Sequence, residues 1–397
     1  MQPITAVDRF DSQAGVVDSA SKETSRYALL DAIKGLAACV VVWHHLTCYA
    51  PGSDLADLTA PTLRAWLYDE ATFMVQIFFV ISGFSMVIAQ STQPIYLQSA
   101  MRAFFARYIR LAMPYLVMLG LLLMAGWWTR EYQLKPVLID SFSWEKTGAH
   151  LLFLQDVLGF GNYSAGTWYL CIDIQYALLF LGMSVLVYSV DRVGRPPWPA
   201  THTLGGALAI LGLISMWYWN REPKLDRYVI YFLSSIVLGS LLAWTLQGRL
   251  PSWIIVVYSL SMVASLVVDY RPRLVVALVV AALIAIGLSY FPKLPVPGWL
   301  RWLGRISYSL FLIHYLVNGL VLMAVNPWIG TSPVRALLAE VLAFLGSLGA
   351  AAILYRTVEI PTQRWLKKFR SGSTSRQLPV GAVGVQSHGG SLGSTTQ

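Results

Sequence analysis

The run Tyr27–Ala50, reading YALLDAIKGLAACVVVWHHLTCYA, constrains this chain more than any other stretch. About twenty residues rising 1.5 Å each cover the ~30 Å hydrocarbon core of a bilayer, so the run is long and apolar enough to span one as a helix. Yet it carries Asp31, Lys34, His44 and His45. Ionisable groups at that depth rarely face lipid, and they mark function by default. At ~100° per residue, Lys34 and His45 stand about 20° out of register and Asp31 falls within roughly 40° of the same line, while His44 turns away by about 100°. One face of one membrane helix therefore presents an acid, a base and an imidazole.

The rest of the chain agrees with a membrane setting. It is 56% hydrophobic and 12% charged, where a soluble domain carries roughly a quarter charged residues. The net charge of +9 resides in single basic residues between apolar runs, not in a patch, so topology explains it and nucleic acid is not an expected partner. Cys39, Cys48 and Cys171 form no CxxC and no metal-like spacing, and they read as small packing residues. No metal is expected.

Residues 1–25 contain Asp8, Asp11, Asp18 and Glu23 ahead of the first apolar run, which is itself longer than a signal-peptide core. The run is therefore expected to stay as a signal-anchor behind a disordered cytoplasmic tail. Further spans are expected near Ala71–Ala89, Leu111–Trp128, Thr167–Val190, Leu204–Trp219, Tyr228–Leu246, Trp253–Val268, Leu274–Tyr290, Trp299–Val325 and Val334–Tyr355. The expected fold is all-α, a polytopic membrane helix bundle of about ten transmembrane helices over residues 26–368. A Ser/Gly-rich disordered cytoplasmic tail, 369–397, follows it. An even number of spans puts both termini on one side. Placing them in the cytoplasm leaves about 18 Lys/Arg inside and roughly ten outside, as the positive-inside rule requires. No internal repeat of the kind many secondary transporters carry is visible.

Several residues on these spans can do chemistry. A neutral imidazole such as His45 can take a proton from a hydroxyl and return it to a leaving group. A lone histidine would more simply be a packing residue bonded across helices, but Asp31 and Lys34 on the same stripe favour function. Arg107 and Arg110, in ARYIRLAMP, share one helix face at the inner edge of their span. Such a pair either anchors the helix at the membrane surface or holds phosphates. Ser307, Tyr308 and His314 share one span, with Ser307 and His314 nearly aligned, and line a cavity or join helices. Asp173 is a further intramembrane acid near the outer end of its span. Glu359 with Arg356 reads as an interfacial ion pair.

The stretches LDAIKGLAACVVVWHH, FFVISGF, RYIRLAMPY, TWYLCID, LGRISYSLFLIH and VEIP stand together in order. In them the chain resembles the acyltransferase-3 family of integral membrane acyltransferases, over roughly Arg26 to Leu366. The resemblance implies transfer of an acyl group, commonly acetyl from acetyl-CoA, to a hydroxyl of a sugar or envelope glycan. It matches His45 to the essential histidine of the family's Arg-x10-His motif, and Arg107 and Arg110 to its Arg-x-x-Arg donor pair. Trp168, Ser307, Tyr308 and His314 fall on further family motifs as substrate-binding or cavity-lining residues. Two positions depart from the pattern. Lys34 stands where arginine is usual, keeping the charge but losing the planar fork, and Asp173 stands where glutamate is usual.

The expected reaction is O-acyl transfer at the plasma (bacterial inner) membrane. His45 would serve as general base or acyl carrier, with Lys34 and Asp31 beside it. The donor would be cytoplasmic acyl-CoA held by Arg107 and Arg110. Membrane lipid and a glycan or lipid-linked saccharide acceptor are the expected partners. The rival is a proton-coupled transporter or flippase relaying protons through Asp31, Lys34 and His45.

Overall fold

The computed structural model describes residues 6–50, 52–90, 95–132, 139, 142–194, 197–292 and 295–374, with side chains described within 28–368. Their order is α1 (Ala6–Tyr49), α2 (Ser53–Asp57), α3 (Pro61–Asp69), α4 (Val75–Ala89), α5 (Leu97–Glu131), α6 (Trp144–Leu151) and α7 (Trp168–Gly194). There follow α8 (Ala200–Trp217), α9 (Val229–Leu246), α10 (Ser252–Val268), α11 (Pro272–Tyr290), α12 (Gly298–Ile329), α13 (Pro333–Leu354) and α14 (Ile360–Thr374). Among the described residues no strand occurs, and nine helices are long and apolar enough to cross a membrane. The tenth expected span is the 17-residue apolar helix α10, one residue short of that length. Helix α1 is already formed at Ala6, inside the stretch read as a tail, since extending an existing helix adds a hydrogen bond for each residue fixed. Residues 1–5 and 375–397, the remainder of the two expected tails, lie outside the described residues.

The bundle is apolar on both sides of its wall. Trp244, Tyr176 and Phe180 are fully buried, while Leu186, Val267 and Ile353 stand exposed on the outside. Water would not tolerate that surface over so many helices, and lipid would.

Successive spans run up and down, so helix ends gather at two faces. At the base, the end of α4 meets the start of α5 and the α14 residues Gln363 and Leu366. At the top, the starts of α7, α9 and α11 converge on the 3₁₀ turn Ala71–Met74. Also at the top, Arg64 of α3 is clamped to Glu340 of α13 by bonds of 2.5 and 3.0 Å, an ion pair buried on both sides.

Two close crossings fix the interior. A Cβ on Gly83 of α4 would lie 1.9 Å from the Ile236 carbonyl oxygen, and one on Gly239 of α9 would lie 1.9 Å from that of Val80. A Cβ on Gly304 of α12 would lie 2.2 Å from the Asp31 carbonyl oxygen of α1. Without a hydrophobic drive between helices in lipid, such small-residue contacts are what let backbones touch. The FFVISGF and LGRISYSLFLIH stretches thus each spend a glycine on packing. One apolar cluster centres on α4, α5, α7 and α9, and a second joins α12, α13 and a face of α1. Asp31, Lys34, His45, Arg107, Asp173 and His314 lie along the seam between them.

Candidate active site

Helices α1 and α12 bring two imidazoles together in the upper half of the seam. Nδ1 of His45 is 2.7 Å from Nε2 of His314. The ring planes differ by 2° with centroids 4.9 Å apart, so the rings meet edge to edge through one hydrogen bond and do not stack. His314 is fully buried, and its Nδ1 is 3.0 Å from the Leu310 carbonyl oxygen. A carbonyl can only accept, so Nδ1 of His314 carries the hydrogen and its Nε2 must accept. His45 therefore donates through Nδ1, which leaves the lone pair on its own Nε2. That nitrogen meets no hydrogen-bond donor among the described residues. The half-buried ring lies beside Tyr49, whose centroid is 5.7 Å away and whose side chain is exposed at the top. The backbone carbonyl orients His314, and His314 orients His45, as the third member of a catalytic triad holds its histidine in one tautomer.

His44 stands apart, as expected from its angle on the helix. Its Nδ1 donates to the Leu67 carbonyl oxygen over 2.8 Å and ties α1 to α3.

Lower in the seam lies a cavity of about 300 Å³ reached by α1, α4, α5, α7 and α12. Arg107 projects into it from the eleventh position of α5. Its Nη2 lies 2.5 Å from Oδ1 of the buried Asp173, and its Nε lies 3.0 Å from Oδ2. Ser82 of the FFVISGF stretch completes the group. Its hydroxyl donates to Asp173 over 2.5 Å and accepts from Arg107 over 2.9 Å. All of Arg107's charge is spent on this forked pair. Asp31 and Lys34 form a second pair in the same cavity, with 2.8 Å between Oδ1 and Nζ.

Arg110 differs from its neighbour. It forms no hydrogen bond or ion pair among the described residues, and it lines both this cavity and a second one of about 540 Å³ at the base. The base cavity is walled by Met86, Ala103, Phe180 and Leu366 and also holds Lys367. The two cavities share Arg107, Arg110 and Gln363. Arg305 adds another exposed cation to the upper one.

These placements revise several expectations. Asp31 and Lys34 share a helix face with His45 but sit fourteen and eleven residues away, about 21 and 16 Å along the axis, so they pair with each other and not with the imidazole. Arg107 is not an interfacial anchor. Helix α5 begins at Leu97, well before the expected span, and the arginine is neutralised inside the bundle by Asp173. Ser307 lines the cavity and bonds back to the Gly304 carbonyl oxygen at 2.8 Å, while Tyr308 reaches the Leu111 carbonyl oxygen at 2.6 Å and fixes α12 against α5. Trp168 is in neither cavity. It packs against Phe232, with ring centroids 5.4 Å apart and planes tilted by 31°, and opens to a separate hollow at the top.

Glu359 is buried and does not pair with Arg356. A π-turn over Tyr355–Glu359 aims it into the seam, where it accepts from Ser309 at 2.9 Å and from Gln363 at 3.1 Å. Sequence reasoning misses Ser82 altogether and places Glu359 at the interface instead of inside the seam. The signal for both was polarity inside an apolar run.

The cavity does not reach the imidazoles. Phe78, Tyr169 and Phe311 line its upper end, with Phe311 5.8 Å from Phe78 and 5.7 Å from Tyr169 between ring centroids. The other side of Phe311 faces His314 at 6.4 Å. Three aromatic rings thus partition the seam into a cationic lower chamber and an upper histidine pair.

A family model described as an acyltransferase domain, that of acyltransferase-3, matches residues 27–356. The chain belongs to the acyltransferase-3 family. It is therefore an integral membrane acyltransferase, and the matched segment contains both histidines, both arginines, Asp173 and the aromatic partition. Neither a curated protein nor a solved structure matches the chain.

Proposed function

We propose that this acyltransferase moves an acetyl group from cytoplasmic acetyl-CoA to a hydroxyl of an envelope glycan or lipid-linked saccharide on the far side of a bacterial inner membrane. Both termini and the base cavity would then face the cytoplasm, in keeping with the distribution of Lys and Arg. The observation that carries the reading is the lone pair on Nε2 of His45, held in place by His314 at one end of a seam whose other end offers Arg110 and Arg305, cations with no ion pair among the described residues.

The donor's phosphates would bind Arg110, with Arg305 and Lys367 nearby, because these cations form no hydrogen bond or ion pair among the described residues. Arg107 takes a positioning role. Its pair with Asp173 holds α5 and α7 together and keeps Arg110 on the cavity wall. The pantetheine arm would run up the seam, and Phe311 must swing aside for the thioester to reach His45.

At that point Nε2 of His45 takes the proton of the acceptor hydroxyl, and the oxygen attacks the thioester carbonyl carbon. The C–S bond breaks, and the proton passes from His45 to the departing thiolate. The resulting imidazolium stays hydrogen-bonded to the neutral Nε2 of His314 throughout.

The test uses membranes from cells making the full chain, incubated with acetyl-CoA labelled in the acetyl group. Label should appear in envelope glycan with the wild type and disappear with His45→Ala at equal protein level. Transport of an unmodified substrate with no label transfer would favour a transporter and overturn the reading.

A further inference from the structure

At the top of the bundle a third cavity of about 500 Å³ opens between α7, α9, α11 and the 3₁₀ turn Ala71–Met74. No step of the proposed transfer uses it. It is separated from the histidines by a row of rings, in which Phe232 contacts Phe79 at 4.6 Å, Phe79 contacts Tyr169 at 5.0 Å, and Tyr169 contacts Phe311 at 5.7 Å.

Its walls combine two kinds of surface. Trp168 and Phe232 supply aromatic faces, with Phe79 packed behind both at 6.1 and 4.6 Å. Around them stand hydrogen-bonding groups that lack partners. Gln76 is only 4% exposed, and its Oε1 accepts no hydrogen bond among the described residues. Oδ2 of Asp156 and Nε of Arg273 are likewise buried without hydrogen-bond partners among the described residues, although Oδ1 of Asp156 accepts from Asn162 at 2.8 Å. Buried polar atoms are almost always satisfied by protein, water or ligand, so three such atoms on residues lining one hollow suit a ligand that brings both donors and acceptors.

Charge narrows its class. Two acids, Asp156 and Asp226, balance two arginines, Arg227 and Arg273. Arg273 is in addition committed to Tyr231, bonding its hydroxyl and lying 4.7 Å from the ring centroid. An anion or a cation would meet as much repulsion as attraction here. A neutral molecule with an apolar face and many hydroxyls meets neither, and a pyranose ring has that character.

We infer that this cavity binds a neutral saccharide unit of the acceptor, one removed from the hydroxyl that reacts, with its ring face on Trp168 and its hydroxyls on Gln76, Asp156 and Arg273. The word acceptor rests on the proposed transfer reaction. The binding itself does not. A site for a non-reacting unit would let the enzyme register the glycan before the reacting hydroxyl meets His45.

Full-length protein in nanodiscs, probed by saturation-transfer NMR with methyl glucoside, methyl rhamnoside, methyl N-acetylglucosaminide and maltose, tests this. At least one neutral glycoside should receive saturation on its ring protons. That signal should survive in His45→Ala, and binding should weaken at least tenfold in Trp168→Ala and in the near-isosteric Gln76→Glu. Unchanged melting of each variant excludes loss by unfolding. The inference is overturned if no glycoside signals above empty nanodiscs, if the signal persists in both pocket variants, or if glucuronate binds better than methyl glucoside. Label transfer dependent on His45 without glycoside binding would sink this site and leave the proposed function standing. Glycoside binding without label transfer would do the reverse.

Discussion

The two arginines of ARYIRLAMP should fail in different ways when each is removed. Arg107→Ala deletes a guanidinium that makes two bonds to Asp173 and one to Ser82, and strands a carboxylate that is only 2% exposed. Breaking one side of a buried pair costs about 3–5 kcal/mol, because the remaining charge has neither partner nor water. The variant should therefore unfold at a clearly lower temperature, and Arg107→Ala with Asp173→Ala together should recover much of that loss. Arg110→Ala removes a side chain with no bonding partner among the described residues, so its melting should stay near wild type. If Arg110 holds a donor phosphate, the loss of a charged hydrogen bond is worth about 1.5–3 kcal/mol, or roughly a ten- to 150-fold rise in the donor KM. The assays are thermal unfolding in detergent and initial rates against acetyl-CoA concentration. Equal destabilisation by the two substitutions would refute the assignment. So would a raised donor KM in a fully stable Arg107→Ala protein.

Other consequences can be checked in the same preparations. His314→Gln should lower kcat by about 10²-fold or more while the donor KM stays put, since it frees the tautomer of His45 but touches no phosphate; a change confined to KM would deny it the orienting role. Phe311→Ala should ease passage up the seam and raise or preserve kcat, whereas Phe311→Trp should lower it; equal rates in both would mean that the ring does not obstruct the donor. His150, fully buried in α6, bonds the Tyr115 hydroxyl and stacks 4.7 Å from Tyr163. Burial, with Lys146 beside it, lowers its pKa from 6.5 to about 4. Because the released loop binds the proton first, local stability should fall as pH drops from about 6.5 toward 4, by up to about 3 kcal/mol. The protection factors of residues 144–166, with the intrinsic exchange rate at each pH divided out, should therefore fall between pH 7 and pH 5, and protection factors that ignore pH would contradict this.

Much of the architecture was legible because apolar length is a strong signal in membrane chains. The ten expected spans correspond to the nine long helices and α10. The stripe on α1 was legible too, but helical phase gives direction and not height. Asp31, Lys34 and His45 do share a face, and the structure splits them between two levels of one seam. What periodicity could not supply was the partner across helices. The link between Ser82, Arg107 and Asp173 joins three spans, and that between His45 and His314 joins residues 269 apart. His150 lay in a loop by sequence and is fully buried by the fold, because the loop packs on α5 through Tyr115. The aromatic partition was invisible for the same reason, since Phe78, Tyr169 and Phe311 each read alone as lipid-facing or core residues.

The most direct test of cross-membrane transfer at His45 is made in proteoliposomes of uniform orientation, with labelled acetyl-CoA supplied only at the base face and glycan acceptor only at the top face. Label should cross to the acceptor with the wild type and fall by about 10²–10⁴-fold with folded His45→Ala. Transfer at the wild-type rate by that variant, or acetylation only when donor and acceptor share one face, would contradict it.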